Sequence, residues 1–257
     1  VKWRLAFLAL AALLLSSSER PRASTRGIDA ACRDMVFETS RFTICTAKPG
    51  RHRIAMVDIG PNGWPIRSFS RLGPRLGKDL DQVAFAMNAG MYDLAGFPIG
   101  LYVEEGRERK PLNRHDGRRN FHLKPNGVFY GDATGWHVAA TDDFAATSRA
   151  GLAFASQSGP MLVVDGGLHP AFSADGRSLH IRNGVGIDGQ GNALFVISDD
   201  EISFGRFARL FRDALGCRHA LYFDGFVSQL WDPVRGRRDS GIPLGPIVMV
   251  LQAEGGR

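Results

Sequence analysis

"ALFVISDDEISFGRFARLFRDALGCRHALYFDG", residues 193–225, is the stretch on which the fold turns. Residues 193–198 are a short apolar run of strand length. From Phe204 the period changes: Phe204, Phe207, Ala208, Leu210, Phe211, Ala214 and Leu215 recur at threes and fours, one face of a helix. Ser203 suits the N-cap because its hydroxyl can accept from a free N–H of the first turn, and Gly216 suits the stop. A second apolar run, Ala220–Phe223, follows. Strand, helix and strand in this order predict a βαβ crossover whose two strands run parallel.

The second run ends abruptly in Asp224-Gly225 and reaches Ser228 three residues later. Asp and Gly at a strand end make a turn. In open sheets with parallel strands, however, ligands lie beyond the carboxyl ends of the strands. Three other places have the same character. "VAFAMNAGMYD" ends a strand in Asn88, Gly90, Tyr92 and Asp93. "FASQSGPML" sets Gln157, Ser158 and Gly159 before a strand, and "LHIRNGVGID" sets Arg182 and Asn183 before Gly184 and Gly186. Glycine lets backbone N–H groups approach a ligand closely, so four such corners predict a polar pocket.

Elsewhere strand signals dominate. "RFTICTA" and "HRIAMVDIG" are expected to form a hairpin across Lys48-Pro49-Gly50. "IGLYVEEGRERKPL" and "NGVFYGDATGWHVAA" each read as strand, turn, strand, and "PMLVVDGGLHP" as a strand running into a tight Asp-Gly-Gly turn. "SRLGPRLGKDLDQV" adds a short helix and "GPIVMVLQAE" a last strand. The expected fold class is α+β: a single domain with a large mixed β-sheet, several hairpins and a late βαβ unit.

Residues 1–18 have the layout of a secretory signal peptide: Lys2 and Arg4, an apolar run from Leu5 to Leu15 too short to span a bilayer comfortably, then small residues. Residues 19–30 read as a disordered lead-in and residues 31–257 as the domain. The expected protein is exported, periplasmic or secreted, with no integral membrane segment in the mature chain. Of the net charge of +6, +4 falls within residues 1–26, leaving +2, too little to imply a nucleic-acid partner. Export favours a Cys32–Cys45 disulfide with Cys217 as a buried free thiol.

There is no Walker loop, no His-Glu-x-x-His and no Gly-x-Ser-x-Gly. No Cys/His spacing resembles a zinc site, which leaves the metal unknown and a carboxylate-bound Ca²⁺ or Mg²⁺ open. His122 stands out among the histidines because Asn120, Lys124 and Asn126 flank it.

In their order, "FAMNAGMYD", "PIGLYVEEG", "NFHLKPNGVFY", "QSGPMLVVDG", "IRNGVGI" and "ALYFDGFVSQL" resemble the phosphodiester glycosidase family over roughly residues 30–252, closest to an exported bacterial branch. The resemblance implies one α+β domain that hydrolyses the bond between a sugar's anomeric carbon and a phosphodiester. Phe226 and Val227 depart from it, replacing two glycines of the family's Asp-Gly-Gly-Gly-Ser corner.

A phosphate leaving group, with a second pKa of about 6, departs without much acid assistance. Such a site needs one ionised carboxylate near the anomeric carbon and cations or N–H donors at the phosphate. Asp224 is the expected carboxylate, with Asp93 second. Arg182 is the expected phosphate ligand, assisted by Lys124 or His122. Asn88, Gln157 and Ser228 would orient sugar hydroxyls or water, and Gly90, Asn120, Ser158, Gly159, Asn183, Gly184 and Gly225 complete the expected substrate contacts. The rival expectation is a non-catalytic carbohydrate-binding or envelope-maintenance protein, which the bulky Phe226-Val227 pair favours.

Overall fold

The computed structural model describes residues 30–147 and 149–253. The expected signal peptide, and all of the lead-in but Ala30, lie outside the described residues. The strands in chain order are β1 (Cys32–Phe37), β2 (Ser40–Ala47), β3 (His52–Val57), β4 (Val83–Asn88), β5 (Tyr102–Glu104), β6 (Arg107–Lys110), β7 (Gly127–Asp132), β8 (Gly135–Ala140), β9 (Phe154–Ser158), β10 (Met161–Val164), β11 (Gly167–Leu168), β12 (Asn183–Ile187), β13 (Ala193–Ser198), β14 (His219–Tyr222), β15 (Leu230–Asp232), β16 (Arg237–Arg238) and β17 (Ile247–Gln252). They form three sheets, with orders β1-β2-β13-β12-β14-β10-β11, β16-β15-β4-β17-β3 and β6-β5-β9-β7-β8.

Sheet-dominated α+β is correct, but the single mixed sheet is not: every pairing among the described strands is antiparallel. The crossover itself is present. Ser203 caps it, its Oγ accepting from Arg206 N at 3.2 Å, and the helix runs α over Phe204–Arg209 and π over Leu210–Ala214. Gly216 ends it at φ +66°. The strands it joins, β13 and β14, do run parallel, but β12 lies between them, paired with both. β13 already has β2 on one edge and β12 on the other, so the crossover must land beyond β12.

The β2–β3 hairpin is a second correction. A tight turn is there, with Arg51 N and His52 N donating to the Lys48 carbonyl, yet β2 joins β13 in the first sheet and β3 joins β17 in the second. The β5–β6, β7–β8 and β10–β11 hairpins form as expected. "SRLGPRLGKDLDQV" becomes a short α-helix, Gly73–Leu76, running into a 3-10 helix, Gly77–Gln82.

Burial explains the layering. The crossover helix covers one face of the first sheet through Phe207, Leu210 and Phe211, packed with Phe42, Ile44 and Ala220. The helix comes so close that a Cβ on Gly186 would lie 2.7 Å from Phe211 and from Cys217 Sγ, which is why this strand carries glycine there. The other face meets the remaining two sheets at an aromatic node. Phe195 of β13 packs 5.3 Å from Phe85 of β4 and 5.5 Å from Phe129 of β7, and Phe223 packs on Phe129 at 6.3 Å. All four rings are fully buried, and removing one such ring costs about 3–5 kcal/mol. β13 is buried along its whole length because both faces are covered, so it reads as a continuous apolar run. Cys32 and Cys45 face each other across β1 and β2 and form the disulfide, and Cys217 is free and buried.

The registers bring several loops to one end. β3 and β4 both end against the start of β17, and β4 ends beside the start of β15. In the first sheet β14 ends beside the start of β12.

Candidate active site

One strand end from each sheet converges on the 224–228 corner. Asn88 closes β4, Asn183 opens β12 and Ser158 closes β9. Asn183 Nδ2 donates to the main-chain and side-chain oxygens of Asn88, both at 3.0 Å. Asn88 Oδ1 also accepts from Gln229 N at 2.8 Å, and its Nδ2 donates to the Asp224 carbonyl at 3.3 Å. Asn183 Oδ1 takes the Asp224 N–H at 3.2 Å, and Ser158 Oγ donates to the Phe223 carbonyl at 2.7 Å. The single hydroxyl proton of Ser228 faces the Ile181 carbonyl at 3.1 Å, with Asn183 Oδ1 and the Asp224 carbonyl at 3.3 Å. Short amides and hydroxyls at these strand ends hold the corner from both sides, because each can pair with two or more backbone groups.

This frame holds the Asp224 carboxylate half-buried. Its Oδ1 accepts from Phe226 N at 3.1 Å, and among the described residues no Lys, Arg or His pairs with it. Burial pushes its pKa up to about 6, opposed by the Phe226 N–H. Tyr92 and Tyr222 are both pushed up to about 12, chiefly by burial, and both feel the Asp224 charge. Gly225 is required: a Cβ there would sit 1.8 Å from the Tyr222 hydroxyl.

Arg182 is placed differently from its expected role at the phosphate. Its side chain is wholly buried, with Nε on the Ile202 carbonyl at 2.8 Å and Nη2 on the Ser178 carbonyl at 2.8 Å. Nη1 faces the Tyr222 hydroxyl at 3.4 Å, and the guanidinium lies 3.6 Å over the Phe204 ring. Asp93 is a turn residue, its Oδ1 accepting from Gly96 N and Phe97 N at 3.0 Å. Gln157 is consumed by the scaffold: Oε1 takes the Leu101 and Asn113 N–H groups at 2.9 Å and Nε2 donates to the Asn113 carbonyl at 2.7 Å.

His122 and Lys124 belong to loop 113–117, through the His115 carbonyl at 2.9 Å and Asp116 at 2.6 Å. Asn120 is exposed one layer out, and its carbonyl would meet a Cβ on Gly159 at 3.2 Å. Gly90 and Gly184 permit close backbone approach, to the Gln157 and Leu221 carbonyls respectively. The structure therefore joins Asn88, Ser158, Asn183, Asp224, Gly225 and Ser228 at one corner, and leaves Asp93, His122 and Lys124 in other hydrogen-bonded groups.

Phe226 and Val227 do not crowd the corner. Val227 is buried toward Leu244 and Trp231, and Phe226 is 76% exposed. Beside the corner lies an open polar trough of about 460 Å³, lined by Ile181, Ser198, Ser228, Gln229 and Arg238 among others. Arg237 in its wall is neutralised by Asp199 at 2.8 Å and Asp239 at 3.0 Å, while Arg238 has no carboxylate partner among the described residues.

Sequence reading missed Asp58. It follows β3 at the same end, only 2% exposed, with Oδ1 unpaired. Burial and the nearby charge of Glu104 push it up to about 7, and Arg67 opposes them. The Arg67 guanidinium lies 5.1 Å over the Tyr92 ring, so Asp58, Arg67, Tyr92 and Asp224 form a chain of electrostatic neighbours. The signal was present in "MVDIG", an apolar strand ending in Asp-x-Gly. Among the described residues no three His, Cys, Asp or Glu gather as a metal-binding group.

The family model described as phosphodiester glycosidase matches residues 81–236, which include Asn88, Ser158, Asn183 and the 224–228 corner. The chain belongs to the phosphodiester glycosidase family. Within reach of this family, the uncharacterized protein YigE of Escherichia coli (strain K12) is 33% identical over 226 residues, 87% of this chain and 86% of its own. The catalytic domain of zebrafish N-acetylglucosamine-1-phosphodiester alpha-N-acetylglucosaminidase, solved auto-inhibited by its pro-peptide, superposes with a TM-score of 0.60 at 12% identity. That match covers 91% of this chain and 86% of the zebrafish chain. A hypothetical protein from Synechocystis matches with a TM-score of 0.54 and 14% identity, over 86% of this chain and 61% of its own. At these identities the two structures share the fold alone with this phosphodiester glycosidase family member.

Proposed function

We propose that this protein is an exported hydrolase that cleaves the sugar–phosphate bond of a glycosyl-1-phosphodiester, with Asp224 as the working carboxylate. The observation that carries the reading is the placement of Asp224: unpaired with any cation among the described residues, half-buried, and held at a corner where three sheets meet. A carboxylate without a counter-ion is ionised above about pH 6 and free to act at an anomeric carbon. It acts there as nucleophile, or as the base that takes a proton from water. The C1–O bond breaks, and its electron pair leaves on the phosphate oxygen, which needs little protonation because the departing phosphate is itself a weak base.

Asn88 and Asn183 position the corner and are themselves consumed by it. The sugar hydroxyls fall to Ser228 and the trough. Arg238 replaces Arg182 as the cation assigned to the phosphate, because Arg182 is buried under Phe204 and satisfied by backbone carbonyls. Arg182 acts instead through Tyr222.

The rival binding-protein reading drew on Phe226 and Val227. With Val227 in the core and Phe226 in solvent, the pair leaves the corner open, and the hydrolase reading is the better supported. The test is sugar release from a panel of glycosyl-1-phosphodiesters, nucleotide sugars included, by wild type and a folded Asp224→Asn variant, with and without EDTA. Release that the variant loses supports the proposal. Near-wild-type release by the variant removes Asp224 from the mechanism, and binding without release on every member of the panel favours the carbohydrate-binding protein.

A further inference from the structure

Five of the six large exposed apolar side chains among the described residues gather at the site end of the molecule. The six are Trp64, Leu94, Leu179, Phe226, Ile242 and Val36. Trp64 lies in the loop after β3, Leu94 after β4, Phe226 between β14 and β15, and Ile242 between β16 and β17. The antiparallel registers of the second sheet put all four loops at one end. Leu179 precedes β12, whose start lies beside the end of β14. Only Val36 stands apart, on the outermost strand of the first sheet.

Direct contacts tie these loops together. Tyr92 Oη donates to the Pro243 carbonyl at 2.6 Å, Leu244 N to the Arg67 carbonyl at 2.9 Å, and Gln229 Nε2 to the Ile242 carbonyl at 2.7 Å. Three of the five apolar residues stand two positions from residues that line the polar trough: Leu179 from Ile181, Phe226 from Ser228 and Ile242 from Ser240.

A collar of this kind is costly in water, and single-chain proteins keep exposed apolar groups together chiefly where something covers them. Its chemistry selects the cover. The apolar groups surround a polar trough instead of forming one dry patch, which suits a ligand with a polar head and an apolar tail. Arg238 lines the trough inside the collar with no carboxylate partner among the described residues, and this favours an anionic surface. Trp and Phe beside Arg is the composition that settles at a lipid headgroup boundary.

If the site cleaves glycosyl phosphodiesters as proposed above, we propose that the phosphate-side group is a lipid, and that the collar seats the open end of the molecule on the bilayer that presents it. The sugar and phosphate occupy the corner and trough, and the chain leaves the phosphate across the collar into the membrane.

The test uses the purified chain and a Trp64→Ser/Leu94→Ser/Ile242→Ser variant shown to be folded by circular dichroism. Flotation is measured with vesicles of phosphatidylethanolamine and phosphatidylglycerol. Turnover is measured on the panel of glycosyl-1-phosphodiesters named above, each made with a methyl and with a dodecyl aglycone. The wild type should float, and the variant should float at least about tenfold less, because three apolar side chains lose their burial. The variant should also lose the preference for the dodecyl substrate while keeping its methyl turnover. A wild type that stays with the soluble fraction, or a variant that floats equally well, overturns the proposal. So does collar-dependent self-association without flotation, seen by sedimentation, which would make the collar an interface between copies. Collar-dependent flotation with no turnover of any member of the panel, in methyl or dodecyl form, upholds the bilayer seat and sinks the hydrolase reading alone.

Discussion

Replacing Asn88 by Ala tests whether the corner is held as described. Asn88 Oδ1 is the acceptor for Gln229 N at 2.8 Å and one of two acceptors for Asn183 Nδ2. Its Nδ2 is one of three donors near the Asp224 carbonyl, beside Ser228 Oγ and Val227 N, each at 3.3 Å. The alanine therefore strands one buried N–H outright, that of Gln229, and weakens two other groups that keep a partner. A buried group left unpaired costs about 1–3 kcal/mol and each partial loss roughly 1 kcal/mol. The site is 2% exposed, so water does not easily replace the amide. Together these make Asn88→Ala destabilising by about 3–5 kcal/mol. Urea denaturation followed by circular dichroism gives the number directly. Asn88→Asp, which keeps the acceptor for Gln229 but adds a charge beside Asp224, separates hydrogen bonding from volume and should raise the Asp224 titration further. A loss below about 1 kcal/mol for the alanine variant would show that Asn88 does not hold the corner, and the account of the site would be refuted.

Asp58 makes stability depend on pH. Its folded pKa of about 7 exceeds the ordinary 3.8, so the folded state holds a proton that the unfolded state releases across that window, and stability falls as pH rises from about 4 to about 7. The full difference corresponds to about 4 kcal/mol, and Asp58→Asn should flatten the profile by up to that amount in denaturation series at several pH values. If Asp224 works ionised, kcat/KM should rise with pH to a plateau above about 6, and a rate independent of pH through that range would argue against the role. Gly225→Ala should destabilise the chain and abolish turnover, since its Cβ would fall on the Tyr222 hydroxyl; normal thermal unfolding would show that the corner yields. Opening the Cys32–Cys45 bridge by a double Ser substitution should cost about 3 kcal/mol, the loop-closure value for a sequence separation of 13, while Cys217, pushed up to about 12 by burial, should resist thiol reagents until unfolding.

Local patterns were legible because local physics sets them. The apolar period and the Ser203 and Gly216 signals identified the crossover helix, and Gly-containing turns identified the β5–β6, β7–β8 and β10–β11 hairpins. The Cys32–Cys45 disulfide was expected from an oxidising compartment and is present, and Asp224 stood out because a strand that stops on Asp-Gly has an unusual end. Residues alone also identified the family, since six ordered motifs span most of the chain. What the tertiary structure decided was which strands became neighbours. Nothing in residues 193–223 records that β12 occupies the space between β13 and β14, because hydrogen bonding across a sheet depends on chain segments far away in sequence. The same physics governs the side chains. Gln157 and Arg182 look like ligands in a linear reading, and are held in the scaffold only when distant backbone groups, the Leu101 and Asn113 N–H groups and the Ile202 carbonyl, come to them, whereas Asp93 is taken up by N–H groups of its own turn. Asp58 reads as an ordinary turn residue until folding removes its water and brings Glu104 beside it.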